Sequence, residues 1–227
     1  MADQSPGGIR EINLTLPASQ EDIASLKLGD AVYLNGLVFT GREGVYHRIF
    51  EKKVTPPMDI SKLGGATFHC SPAICEVSPG VYNVPSVTAT ASFRFAKYMP
   101  DFLERFGIQI VIGKGGMMPD VYKKVFVPNG TVYLTTVGYG LGAIYGRGIR
   151  RVKDVVWKEE LGLAQAIWVL EVENFGPFMV ESNVLGESLF EQANQEINPK
   201  LMALYEGLPE PALKRLGEVN SPDIEVL

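Results

Sequence analysis

Three apolar runs that each empty into glycines set the tightest limit on how this chain can fold. AVYLNGLVFT (31–40) stops at Gly41, IQIVI (108–112) delivers the chain into GKGG, and TVYLTTV (131–137) runs into GYGLGAIYGRG. Runs rich in β-branched and aromatic residues and closed by glycine read as strands, IQIVI as a fully buried one. Helical patterns lie between them. REGVYHRIFEKK carries Val45, Ile49 and Phe50 at helical spacing and closes before Pro56-Pro57. FAKYMPDFLERFG puts Phe95, Tyr98, Phe102 and Phe106 on one face, with Pro100 in the first turn and Gly107 as the C-terminal cap. Alternation of strand and helix predicts an α/β fold with parallel connections, in which the loops at the carboxyl ends of the strands share one edge. ATFHCS after Gly64-Gly65 reads as a further strand, followed by a loop rich in Pro, Gly and Ser that leads to VYNVPSVTAT. AIWVLEVENF, the strand-like FMVES and a short helix over GESLFEQANQEI complete a main domain, 1–197. A shift toward proline (Pro199, Pro209, Pro211, Pro222) marks 198–227 as a helical appendage or interface arm.

The shared edge gathers cations. Arg42 follows the first run, the Thr88–Arg94 segment follows VYNVPSVTAT, Lys114 follows IQIVI, and the GYGLG turn follows TVYLTTV. The chain of 227 residues is 46% hydrophobic, enough for a core, and carries a formal net charge of -5. An acidic surface repels nucleic acid and anionic membrane, so three cations among glycines predict a local pocket for a small anion, a dicarboxylate. The opening MADQSPGG lacks a basic start followed by an apolar stretch, and no segment approaches the length of a membrane span, so a soluble cytoplasmic protein is expected.

Other chemistries fit poorly. IGKGG has no glycine at P-loop distance upstream and no Ser or Thr after the lysine. GYGLGA lacks dinucleotide-fingerprint spacing and the later acidic residue, which favours a tight strand-to-helix turn. His47 and His69 are too few for a metal site without carboxylate help. His47, one helical turn beyond Arg42 and Glu43, either faces the crevice and orients a neighbour or is structural. Cys70 and Cys75 read as small buried thiols, and no G-x-S-x-G elbow exists. Thr88, Thr90 and Ser92 precede a helix, where hydroxyls act as caps or as catalytic groups. Arg94 beside them adds a planar fork that grips a carboxylate with two hydrogen bonds.

Taken in order, these residues resemble the small (β) subunit, or equivalent C-terminal domain, of class I iron-sulfur fumarases and the related L-tartrate dehydratases, over about Gly29 to Phe190. TGREGVYHR is similar to the family's T-x-R-[DE] segment, matching Arg42 and His47. TATASFRF resembles its threonine-to-arginine motif, and IGKGGM is the nearest match, with Lys114 at the family's separation from Arg94. The chain departs from the family at Phe93, where glycine is common, at Val84-Pro85-Ser86-Val87 in place of a Gly-Pro pair, and at LGESLF. The resemblance implies a swivelling β/β/α domain with a mixed, partly parallel sheet and a C-terminal helical appendage. It implies reversible hydration of fumarate to (S)-malate, with tartrate dehydration as the alternative. Thr90, Arg94 and Lys114 inherit catalytic roles, Arg42, Arg94, Lys114 and Gly115 substrate binding, and His47 and Ser92 supporting positions. In that family three cysteines hold a 4Fe-4S cluster whose open iron acts as a Lewis acid on the substrate. Two cysteines at unlike spacing imply that the cluster sits on a partner α subunit, that this chain ligates no metal, and that the enzyme is a hetero-oligomer. A reading from another class is a stand-alone anion-binding or assembly module without chemistry.

Overall fold

The computed structural model describes residues 8–207; the first seven residues and the prolines at 209, 211 and 222 lie outside that range. The described strands are β1 (Glu11–Thr15), β2 (Ala31–Thr40), β3 (Ala66–Phe68), β4 (Cys70–Ser78), β5 (Val81–Ala89), β6 (Ile110–Gly113), β7 (Val132–Thr136), β8 (Ile149–Val156) and β9 (Ile167–Ser182). β1, β2, β3, β6 and β7 pair in that order, all parallel, as the alternation predicted. β9 runs antiparallel to β7 and also to β2, so the ring β2-β3-β6-β7-β9 closes on itself. The fold is mixed α/β, with parallel and antiparallel strands in one sheet and a helix, Leu189–Tyr205, near the end of the described chain.

Both faces of the central strands are buried. Val38, Ile110, Ile112 and Leu134 belong to one apolar cluster, while their neighbours Phe39, Val111 and Tyr133 belong to another. A parallel strand covered on both sides has to be a continuous apolar run, and Ile110, Val111 and Ile112 are all at 0% exposure. Two of the helical segments that roof the second cluster follow the predicted patterns. Glu43–Tyr46 continues as a π-turn through His47–Glu51, burying Val45, Tyr46 and Ile49. The segment predicted as one helix begins as a 3-10 turn, Ser92–Tyr98, and becomes α-helical over Met99–Phe106. Pro100 lies in its first turn, and Gly107 caps it in the left-handed conformation at φ 61°.

Several elements differ from expectation. The Pro/Gly/Ser-rich stretch after ATFHCS is mostly strand, because β4 and β5 form a two-stranded hairpin. Pro72 is tolerated there because such a ribbon has an unpaired edge. AIWVLEVENF and FMVES are one strand of 16 residues, β9. β9 stays continuous because β2 pairs along most of its length while its other edge passes from β8 to β7. β8, IRRVKDVV, was hidden by its charge: Arg150 and Arg151 pair across the ladder with Glu173 and Glu171 on an exposed face. The GESLFEQANQEI helix runs on to Tyr205 with Pro199 inside it. The chain divides into two compact units after Gln192. Among the described residues no helix is long and apolar enough to cross a membrane.

Candidate functional site

Backbone hydrogen bonds lace the carboxyl ends of the strands into a row. Gly41 N–H donates to the Phe68 carbonyl (3.0 Å), His69 N–H to Ile112 (2.8 Å), Thr90 N–H to His69 (2.6 Å) and Lys114 N–H to Thr90 (3.2 Å). Ser92 N–H returns to the Lys114 carbonyl at 3.4 Å. The segments predicted to converge therefore do so as backbone. Arg42 stands directly after β2 as the N-cap of Glu43–Tyr46, and Arg94 lies in the opening turn of Ser92–Tyr98.

The side chains differ in setting. Arg42 is half-buried; its Nη1 donates to the Ala164 carbonyl (3.1 Å), and its Nε is buried without a hydrogen-bond partner. Thr90 is buried and Lys114 half-buried, whereas Arg94 is exposed, its guanidinium 5.7 Å from the centre of the Phe95 ring. Phe93, the bulky departure, is exposed as well. A cavity of about 330 Å³ is lined by Ser86, Thr88, Lys114, Thr136, Gly138 and Tyr145, among others, so the GYGLG turn does join the lysine. Arg42, Thr90 and Arg94 are not among its lining residues. Gly115, at φ 67°, needs the left-handed freedom of glycine and has open space where a side chain would stand. His47 does not join this row: it is half-exposed and pairs with Glu51 one helical turn on, at 3.2 Å.

The histidine that does join is His69, treated from sequence only as a failed metal ligand. It is fully buried, with Nε2 2.7 Å from Tyr46 Oη and Nδ1 2.7 Å from Ser92 Oγ. Ser92 Oγ accepts from Tyr133 Oη, also at 2.7 Å. Burial pushes the imidazole down to about 3, so it is neutral at physiological pH, and it holds both tyrosines well above the usual phenol range. No pattern in the sequence marks this cluster, since its members lie 23 and 41 residues apart.

Beneath the glycine turn lies a carboxylate that sequence reading missed. Glu181 is 1% exposed; Ser188 donates to its Oε1 (2.5 Å), and a side chain at Gly116 would come within 3.2 Å of its carboxyl carbon and 2.8 Å of Tyr122 Oη. Tyr122 in turn accepts the Met117 N–H at 2.7 Å. Burial raises the Glu181 pKa, and the contacts from Ser188 and Tyr122 only partly oppose it. A raised carboxyl pKa favours the folded state below the unfolded value, and that contribution is lost as pH rises through the folded one. Glu181→Gln should therefore melt above wild type at pH 8, with the difference shrinking to nothing as pH falls toward about 4, near the ordinary glutamate value. A constant difference across that range in a thermal-melt series would show that ionisation of Glu181 has no part in it.

The cysteines do not behave alike. Cys70 is buried in the core, its thiol pushed up by burial with the Arg42 charge opposing, but Cys75 is exposed on the hairpin, against the expectation that both are buried. Among the described residues no three His, Cys, Asp or Glu side chains are grouped to hold a metal ion.

The family model described as Fumarase C-terminus matches residues 1–193. The chain is 33% identical over 189 residues to the "Putative L(+)-tartrate dehydratase subunit beta" of Methanocaldococcus jannaschii, covering 82% of this chain and 94% of that protein. It is 31% identical to the L(+)-tartrate dehydratase subunit beta of Escherichia coli K12, covering 84% of this chain and 89% of the relative. It is 32% identical to the "Putative fumarate hydratase class I" of Geobacillus stearothermophilus, covering 87% of this chain and 37% of that longer protein.

Proposed function

The chain belongs to the Fumarase C-terminus family, as a small-subunit type, and on that footing we propose that it is the β subunit of a heteromeric hydro-lyase acting on a four-carbon dicarboxylate. Fumarate hydration to (S)-malate is the first reading. L(+)-tartrate dehydration stands equally beside it, because the relatives matched nearly end to end carry that name. The observation that carries the proposal is the lacing of Thr90–Ser92 onto Lys114, in the same backbone row as Gly41 and next to a cavity that Lys114 lines. Closure of parallel strands by an antiparallel β9 also supports the swivelling β/β/α reading.

Addition of water places a hydroxyl on one alkene carbon and a proton on the other. In the reverse direction, loss of that proton builds negative charge on the adjacent carboxylate. Arg42, Arg94 and Lys114 are assigned to bind the two carboxylates and to neutralise that charge. The unpaired, buried Nε of Arg42 fits such an acceptor, since an orphaned buried donor costs about 1–3 kcal/mol until it is satisfied. Thr90 is assigned a hydrogen bond to substrate, with proton transfer only alongside a stronger base, because a neutral hydroxyl is a poor one. His47, against Glu51, is left without a part. A buried Cys70 and an exposed Cys75 do not fit as ligands of a 4Fe-4S cluster, which is assigned to the partner α subunit.

Anaerobic co-expression with a candidate α subunit, followed by fumarate, (S)-malate and L(+)-tartrate as substrates, tests the reading. The isolated chain should be folded, colourless and inactive, and the heteromer active on at least one dicarboxylate. Cluster-like absorbance in the isolated chain would overturn the division of labour. A heteromer inert on all three substrates would favour an anion-binding or assembly module.

A further inference from the structure

Gly41 and Gly113 immediately precede Arg42 and Lys114, and neither has a left-handed backbone, so conformational freedom does not explain them. Close approach does. A side chain at Gly41 would run into Tyr46 Oη and come within 3.0 Å of Thr67 Oγ1; one at Gly113 would run into Ser92 Oγ and lie 2.6 Å from Tyr133 Oη. Both glycines therefore clear space for the same buried polar cluster, centred on His69.

One tautomer of His69 lets the hydrogen bonds of that cluster run in a single direction. With His69 protonated at Nε2, Tyr133 Oη–H donates to Ser92 Oγ, Ser92 Oγ–H to His69 Nδ1 and His69 Nε2–H to Tyr46 Oη, Tyr46 is hydrogen-bonded to Thr67, and Thr67 Oγ1–H reaches the Phe39 carbonyl at 3.3 Å; Tyr133 Oη also lies 3.5 Å from the Lys114 carbonyl. In that arrangement each donor has an acceptor and the chain ends on a backbone oxygen, so the buried polar network is satisfied. Its members come from the strand beside Lys114 (Tyr133), the turn that carries Arg94 (Ser92), the end of β3 (His69, Thr67), and the helix opened by Arg42 (Tyr46).

We infer that His69, protonated at Nε2, is a positioning residue, which through this hydrogen-bond chain fixes the Arg42, Thr90–Arg94 and Lys114 turns relative to one another. The inference rests on the proposed dicarboxylate chemistry for its consequence, since a misplaced cation loses its grip on a carboxylate while the fold persists.

The test uses the assembled α/β heteromer and the uniformly ¹⁵N-labelled chain. Ser92→Ala and Tyr133→Phe should each lower kcat/KM at least tenfold per assembled heteromer, with assembly retained. The double variant should be no worse than the poorer single, because both break one chain. Tyr98→Phe removes a hydroxyl from the adjoining aromatic cluster and should leave kcat/KM unchanged. Imidazole ¹⁵N shifts should show His69 neutral and protonated at Nε2 from pH 5 to 8. If Ser92→Ala fails to assemble, Tyr133→Phe carries the kinetic arm. A lowered melting temperature with unchanged kcat/KM would reduce the chain to a purely structural role and overturn the inference, as would an Nδ1-protonated or titrating His69. A wild-type heteromer inert on every dicarboxylate would instead overturn the proposed function, and the positioning role would fall with it.

Discussion

Arg94→Lys in the assembled heteromer should lower kcat/KM at least tenfold, with subunit association and iron content unchanged, while Arg147→Lys should have no measurable effect. Arg94 lies in the first turn after Ser92 and rests over the Phe95 ring, which packs 4.9 Å from His69. Its guanidinium is thus placed by a rigid aromatic support but left exposed at its tip. A lysine keeps the charge and loses both the planar fork and the stacking on Phe95. Removing a charged hydrogen-bonding partner from a site that becomes desolvated costs about 2–5 kcal/mol, roughly 30-fold to several-thousand-fold in rate. Tenfold is the lower bound because the lysine ammonium retains part of the Coulomb attraction. Arg147 closes the helix Gly142–Arg147 and is exposed, so the same change there alters only a solvated charge. Comparable, mild effects at the two positions in initial-rate measurements would remove the carboxylate clamp from the mechanism.

Much of this site was legible because its markers are local. The apolar runs of β2, β6 and β7 are each closed by a glycine, and Arg42 and Lys114 sit one residue beyond such a glycine, so chain order alone predicts the edge they share. What glycine does at those positions was not legible. Both IGKGG and TGREG suggest anion approach, whereas Gly41 and Gly113 face inward onto Tyr46, Ser92 and Tyr133. Only Gly115, one residue past the lysine, has the open surroundings that the anion reading requires. His69 is silent in the sequence for a related reason. A lone histidine carries no signal by itself, and its two partners, Tyr46 and Ser92, come from separate segments of the chain, each 23 residues away. His47 stands in a recognisable motif, yet it forms an ordinary surface pair. The fold shows the same limit. β6 is readable because burial on both faces demands an unbroken apolar run, while β8 is not, because cross-strand ion pairs with β9 replace apolar alternation on its exposed side.

Gly113→Ala should be strongly destabilising. The added carbon would overlap Ser92 Oγ and lie 2.6 Å from Tyr133 Oη. Neither neighbour can swing away, since both are buried and Ser92 is hydrogen-bonded on two sides. Nor can the strand retreat, because β6 is held by parallel ladders to β3 on one edge and β7 on the other. Overpacking of this kind costs about 1–3 kcal/mol. Displacing Ser92 also leaves His69 Nδ1 buried and unsatisfied, at about 1–3 kcal/mol, and leaves Tyr133 Oη with only its long contact to the Lys114 carbonyl, at 3.5 Å. The combined loss is a large part of the roughly 5–15 kcal/mol that holds an ordinary domain together. Gly113→Ala should therefore be recovered poorly or melt far below wild type. Gly140→Ala is the matched comparison: it lies in the neighbouring glycine-rich turn, has a backbone that an L-residue adopts and nothing within 4 Å of the new carbon, and should melt with wild type. If instead Gly113→Ala folds with near-native stability, the hydroxyls of Ser92 and Tyr133 have somewhere else to go. The glycine before Lys114 is then no longer explained by the polar chain that passes beneath it.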